Sequence, residues 1–217
     1  MSNIHQKTLD NIIFLYEKYS KEHRANIQPF HLEKIKAGVK DFAYRFDDVI
    51  IRESLIEHSG SLPIIATAIY PHIDNPNVDL GRALVMLAIH DIGELITGDE
   101  IVFAKNKDSA DKEKEAALKL LPESFHGIYL EMEERKSDTA RFAKAVDKIA
   151  PNILDLITPA EITVDRYKKA INKEPQEIAP MIEEFKQPYM VWNSFMADLN
   201  LEILKRLDEK LRPFYQK

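Results

Sequence analysis

The chain contains no cysteine and little glycine: six glycines in 217 residues, where average usage would give about 15. Without cysteine it can form no disulfide, no thiolate nucleophile and no cysteine-ligated zinc or iron–sulfur centre. Scarce glycine disfavours β-hairpins and glycine-rich phosphate loops, because both need residues with positive φ. These absences exclude thiol hydrolases, cysteine zinc fingers and disulfide-stapled secreted modules.

Charge and hydropathy argue against further classes of protein. The formal net charge is −6, which argues against general electrostatic binding of nucleic acid. No apolar run approaches the roughly 20 residues of a transmembrane helix, and the first residues do not form a signal peptide. We therefore expect a cytoplasmic protein with neither a membrane nor a nucleic-acid partner. Hydrophobic residues make up 45% of the chain, enough for a sizeable core.

Apolar residues recur mostly at spacings of three and four, which predicts an all-α fold with almost no strand. No repeat or flexible linker divides the chain, so residues 1–217 are expected to form a single multi-helix domain. The clearest predicted helices cover 54–70, 80–96 and 139–157, the last capped by Asp138. A long helical stretch over 175–211 is expected to break at Pro180 or Pro188.

Four ionisable residues lie on apolar helix faces. His58 falls between Leu55 and Leu62, His90 and Asp91 end the apolar face of the 80–96 helix, and Asp147 shares a face with several alanines. A lone histidine of this kind is usually a satisfied core residue, and Asp147 could be half of a buried ion pair. Burying an unpaired carboxylate costs several kcal/mol, however, and one divalent cation would satisfy all four groups. Two histidines and two carboxylates suit Mn, Fe, Co, Ni or Zn.

Three segments carry a family resemblance: RESLIEHS at 52–59, HDIGELITGD at 90–99 and KAVDKI at 144–149. Their ordered H…HD…D pattern resembles the HD-domain phosphohydrolases, in the branch with the bacterial 5′-deoxynucleotidases and the HD-domain-containing proteins of eukaryotes. The resemblance implies an HD-domain-like helical bundle with a core at about 45–157 and a metal site between its core helices. Helices within 160–214 would pack on that core.

The resemblance also implies roles for individual residues. One divalent ion (Mn, Co, Mg, Fe, Ni or Zn) would be held by His58, His90, Asp91 and Asp147. Glu94 and Asp99 would be the catalytic carboxylates, and we expect Asp99 to position or deprotonate the attacking water while Glu94 supports the metal–water network. A phosphate beside these carboxylates needs basic partners; the best placed are Arg52, Lys148 and Arg45.

The implied function is metal-dependent release of phosphate from a small-molecule nucleotide, most simply a nucleoside 5′-monophosphate, by a homodimer. Two alternatives remain open: a nucleotide pyrophospho- or triphosphohydrolase, and a metal-bound helical regulatory module without turnover. The Arg-Thr-Gly-Trp stretch common upstream of the first histidine in such proteins has no match here. The stretch of this sequence that comes nearest to it is at 42–46.

Half of the six glycines lie beside the predicted site. Because glycine costs about 1 kcal/mol in a helix interior, we expect each of the three to have a packing or turning role. Gly60 and Gly93 would permit close helix approach around the ion, and Gly98 would turn Asp99 back toward it.

Overall fold

The structure is a computed structural model that describes residues 13–15, 18–19, 21–32, 52–99 and 106–215. Within those residues the fold is almost entirely helical, as predicted. Residues 13–15, 18–19, 21 and 29–32 are helical. There are two short strands, β1 (His23–Ile27) and β2 (Arg52–Ser54). The remaining elements are α1 (Leu55–Ile69), α2 (Leu80–Ile89), α3 (Glu94–Thr97), α4 (Lys107–Leu120), α5 (Glu123–Glu133), α6 (Asp138–Ile157), α7 (Ala160–Ile171), α8 (Pro175–Met190) and α9 (Ser194–Leu211), with short 3-10 turns at Tyr70–His72 and Arg212–Phe214.

Helix α6 is the centre of the bundle. The Ser137 side chain caps it, accepting a hydrogen bond from the Ala140 amide at 3.0 Å, so the cap lies one residue before the predicted Asp138. Small and branched side chains on α6, among them Ala143 and Val146, are fully buried. They allow α1, α2, α5, α8 and α9 all to pack against this one helix.

The two strands form a small antiparallel sheet in which His23 pairs with Ser54 and Ile27 with Arg52. The all-α prediction holds for the fold class, but it overlooked this sheet. Its consequence for the site is positional, because β1 also contacts α6 and so brings an upstream segment against the bundle centre.

Two predicted helices differ from the observed ones. The 80–96 helix ends at Ile89, and a turn at 90–93 leads into α3. The 175–211 stretch does break, but Pro180 and Pro188 both lie inside α8 and the interruption falls at 191–193. Asn193 then caps α9 by accepting from the Met196 amide at 3.2 Å, so a favourable N-cap decides the boundary rather than a proline.

Candidate metal centre

His58 is held in the first turn of α1. Ser54 and Glu57 form a capping box, in which the Ser54 amide donates to Glu57 Oε2 at 2.8 Å and the Glu57 amide donates to Ser54 Oγ at 3.4 Å. The imidazole is 1% exposed, and its Nδ1 lies 3.5 Å from Glu53 Oε2. A carboxylate behind a histidine orients the ring and increases its basicity as a ligand.

His90 and Asp91 lie in the turn that follows α2, not on a continuous helix. Neighbouring residues on a helix point about 100° apart, and leaving the helix lets both side chains face the same place. The His90 Nδ1 is 2.9 Å from the Leu87 carbonyl oxygen, which leaves Nε2 free to face the centre. His90 Nε2 is 3.0 Å from Asp91 Oδ1.

Asp147, on α6, joins the two histidines. Its Oδ1 is 3.4 Å from His58 Nε2 and 3.3 Å from His90 Nε2. One ligand atom from each of the three residues lies within 4.8 Å of the others. Asp91 lies beside this cluster, with its Oδ2 3.6 Å from His58 Nε2. All four side chains are buried.

Three of the four imidazole nitrogens of this cluster lack hydrogen bonds. Both ring nitrogens of His58 and the Nε2 of His90 are buried without a hydrogen-bond partner. Burial opposes protonation of His90, but the charges of Asp91 and Asp147 outweigh it and raise the pKa of His90 to about 10. Burial alone would raise the pKa of Asp147, yet Lys148 and His90 hold it well below its usual range. The carboxylates therefore favour a positive charge at this point, and the residues present fit a divalent cation.

Arg24, on β1, was missed by the sequence analysis. Its guanidinium contacts Asp91 Oδ2 and lies 3.4 Å from Glu94 Oε2 and 3.9 Å from Asp99 Oδ1. Burial opposes the charge of Arg24, but these carboxylates raise its pKa well above the ordinary value. Nothing in its local sequence marks it, because it is on an unpredicted strand far from His58 in the chain. Two contacts of β1 bring it to the site: the pairing with β2, which leads directly into α1, and the contact with α6.

The structure brings Glu94 and Asp99 to the same place, on either side of Gly98. Glu94 is in the first turn of α3 and is 4% exposed. Burial and the charge of Asp91 raise its pKa well above the ordinary value. Asp99 is anchored differently, since its Oδ2 accepts a hydrogen bond from the Ala25 amide at 2.8 Å. Gly98 has φ +77°, so the predicted reversal there is confirmed.

The other two glycine predictions have opposite outcomes. A Cβ on Gly93 would lie 2.3 Å from the Glu113 backbone oxygen, so the close helix approach is confirmed, although the neighbour is α4. The prediction for Gly60 is wrong, because a Cβ there would meet nothing within 4 Å. Gly60 lies on the exposed side of α1, which periodicity around His58 alone did not reveal.

The three predicted basic residues have different positions. Lys148 Nζ is 2.9 Å from Asp147 Oδ2, directly beside the cluster. Arg52 lies on β2, paired across the sheet with Ile27, and no described residue forms an ion pair with its guanidinium. Arg45 lies outside the described residues.

Comparisons with known proteins agree with this architecture. The HD domain model matches residues 42–187, which include every predicted site residue but not Arg24. Similar solved structures include a predicted metal-dependent phosphohydrolase from Magnetospirillum magnetotacticum (22% identity, 94% of each chain, TM-score 0.66). Two others are a protein from Pyrococcus horikoshii (20% identity, 93% of this chain and 99% of that one, TM-score 0.53) and a conserved hypothetical protein from Pyrococcus furiosus (19%, 94% and 99%, TM-score 0.52).

At sequence identities of 19–22%, the similarity to these solved structures shows a shared fold. A comparison with curated proteins returns no match. None of the described helices combines the length and the apolar character that crossing a membrane requires. The family match covers well over half of the chain, and it agrees with the fold and with the order of the motifs. The chain therefore belongs to the HD-domain family.

Proposed function

We propose that this protein is a metal-dependent phosphohydrolase that releases phosphate from nucleoside 5′-monophosphates, as in the 5′-deoxynucleotidase branch of the family. One observation carries the proposal: buried imidazole nitrogens of His58 and His90 face Asp147 without hydrogen-bond partners. Unpaired polar atoms are rare in protein interiors, and a bound cation accounts for them. The solved relative from Magnetospirillum magnetotacticum, described as a predicted metal-dependent phosphohydrolase, supports the same conclusion.

The ion would be held by His58, His90, Asp91 and Asp147. A divalent ion there would polarise a phosphoryl oxygen and lower the pKa of a bound water. Asp91 can serve both the ion and Arg24, because Arg24 contacts its Oδ2 while its Oδ1 is turned toward His90. In this arrangement Arg24 fixes the orientation of the Asp91 carboxylate.

Two carboxylates, Glu94 and Asp99, are available for proton transfer, and their different surroundings indicate different roles. Asp99 Oδ2 is committed to the Ala25 amide, whereas Glu94 has no backbone donor among the described residues and lies 3.4 Å from Arg24. We therefore assign proton transfer to Glu94 and a positioning role to Asp99, which reverses our sequence-based expectation. Lys148 would neutralise charge on the substrate phosphate beside Asp147.

The test is release of orthophosphate from a panel of deoxy- and ribonucleoside 5′-monophosphates by protein loaded with Mn²⁺ or Co²⁺. We expect His90→Ala and Asp147→Ala to abolish release. The matched control is His72→Ala, because His72 is exposed and stacks on Phe195 away from the cluster. Activity that survives both substitutions would refute the assignment. Release of pyrophosphate or triphosphate in place of orthophosphate would replace it with the pyrophospho- or triphosphohydrolase alternative.

The proton-transfer assignment has its own test. Glu94→Gln keeps the size of the side chain but cannot accept a proton, and we expect a loss of about 10²–10⁴-fold in kcat. Asp99→Asn, which can still accept a hydrogen bond from Ala25, should lose less. The reverse order of losses would return the role to Asp99.

A further inference from the structure

A polar stripe continues along α6 beyond the metal cluster. After Asp147 and Lys148 it carries Asn152 and Asp155, both buried. The α8 side chain that meets this stripe is Lys186, which is only 4% exposed. Buried lysines are rare unless they are paired. The stripe is therefore a feature that requires an explanation.

Lys186 has no carboxylate partner among the described residues. Its Nζ donates to Asn152 Oδ1 at 2.6 Å, which leaves donor capacity unused, since an ammonium carries three N–H groups. The Nδ2 of Asn152 is buried without a hydrogen-bond partner. Two neighbouring groups thus both keep unused donors: Lys186 has one acceptor for its three N–H groups, and Asn152 Nδ2 has none.

The carboxylate of Asp155, on the same stripe, is already engaged. Asp155 Oδ1 accepts from Arg166 Nη2 at 2.5 Å, and Asp155 Oδ2 accepts from the Tyr167 hydroxyl at 2.9 Å. Asp147 belongs to the proposed metal centre. Lys148 pairs with Asp147, and Arg166 pairs with Asp155. Of these three cations Lys186 alone lacks a carboxylate among the described residues, an excess of one positive charge.

Such an excess is costly in a protein interior unless an anion compensates it. Burial and the nearby charge of Lys148 lower the pKa of Lys186 to about 7, so the ammonium is poorly stabilised by the chain itself. The side chain of Lys148 is 18% exposed, pairs with Asp147 of the metal centre, and has a charge that acts on Lys186. It connects the cluster with the site where the substrate would bind.

We propose that Lys186, Asn152 and Lys148 form an anion subsite that receives a second phosphate of the substrate. The proposal rests on the proposed function and refines its substrate class. Lys186 lies near enough to Lys148 and to Asp147 for both charges to act on it, so the second phosphate would bind beside the metal centre, within reach of the same small substrate. The preferred substrate would then be a nucleotide with phosphates at two positions, of the nucleoside 3′,5′-bisphosphate class.

Two substrates that differ by one phosphate test this: adenosine 5′-monophosphate and adenosine 3′,5′-bisphosphate. In the metal-loaded enzyme, Lys186→Met should raise the KM for the bisphosphate relative to that for the monophosphate by about 10- to 100-fold, as expected for loss of a charged hydrogen bond. The matched control is Lys205→Met, on the exposed face of α9, which should leave the ratio of the two KM values as in the wild type. An unchanged ratio in Lys186→Met would overturn the subsite.

A second variant separates a binding role from a structural one. Asn152→Asp would supply Lys186 with a carboxylate partner, so it should raise the thermal unfolding temperature while weakening binding of adenosine 3′,5′-bisphosphate. Higher stability with unchanged binding would show that Lys186 has only a structural role, and would overturn the proposal. Circular dichroism confirms that each variant folds.

Calorimetric titration of the metal-free protein with adenosine 3′,5′-bisphosphate makes the test independent of turnover. If no phosphoester is hydrolysed but Lys186→Met weakens this binding, the proposed function fails and the subsite stands. If monophosphates are hydrolysed and Lys186→Met binds the bisphosphate as the wild type does, the function stands and the subsite fails.

Discussion

Replacing Gly93 by alanine tests whether the turn at 90–93 depends on its contact with α4. The added Cβ would lie 2.3 Å from the Glu113 carbonyl oxygen, whereas carbon–oxygen contacts are normally no closer than about 3.3 Å. One of the two backbones must therefore move by about 1 Å. Overpacking of this kind costs about 1–3 kcal/mol, and we expect Gly93→Ala to lower the free energy of unfolding by that amount.

Gly60→Ala is the matched control, because it makes the same chemical change beside the other end of the site. A Cβ at Gly60 meets nothing within 4 Å, so alanine should stabilise α1 by about 0.5–1 kcal/mol. The two variants should thus differ by roughly 1.5–4 kcal/mol in urea denaturation of metal-free protein. Gly93→Ala should also weaken Mn²⁺ binding by about 10- to 100-fold, since it shifts the turn that carries His90 and Asp91. Equal stabilities of the two variants would refute the reasoning.

Three further predictions concern the surroundings of the site. Free Mn²⁺ at 100 times its dissociation constant should raise the free energy of unfolding by about 2.7 kcal/mol, an increase that His90→Ala should lose in calorimetric scans. Arg24→Met leaves Asp91 and Glu94 without their buried cation and should destabilise the metal-free protein by about 3–5 kcal/mol in urea; a smaller loss than in an exposed Arg→Met variant would contradict the buried pairing. Burial raises the pKa of Glu57, but hydrogen bonds from Ser54 outweigh it and lower the pKa below 4.5. The cap therefore stabilises the protein above pH 4.5, and this stabilisation is lost as the pH falls through the lowered pKa. At pH 7 Glu57→Gln should be less stable than the wild type by roughly 1 kcal/mol. This difference should disappear in unfolding curves recorded at acid pH.

The helical class and the family could be predicted from the sequence because both depend on local patterns. Apolar spacing of three and four specifies helices without reference to their partners. Helix caps are local too: Asp79 caps α2 by accepting a hydrogen bond from the Arg82 amide at 2.9 Å. The motifs around His58, His90 and Asp147 led to the HD-domain family, which the family match confirms. The roles assigned to individual site residues remain predictions.

The errors have a common cause, which is that packing overrides local pattern. Periodicity extended the 80–96 helix through His90, but the close contact of Gly93 with α4 belongs to a turn. Proline positions suggested a break within α8, yet that helix accommodates both prolines. Gly60 and Gly93 look alike in the sequence, and only their neighbours in space distinguish an open position from a crowded one.

The sequence by itself determined the chemistry available to this protein: no thiol, no glycine-rich phosphate loop, and an ordered set of histidines and carboxylates on apolar faces. The tertiary structure decided which charges meet. It placed Arg24 against Asp91 and Glu94, and it left Lys186 beside Asn152 with no carboxylate partner among the described residues. Helix periodicity states which face a residue is on, but not what faces it. Pairing across elements distant in the chain depends on how β1, α6 and α8 pack, and that information is not local.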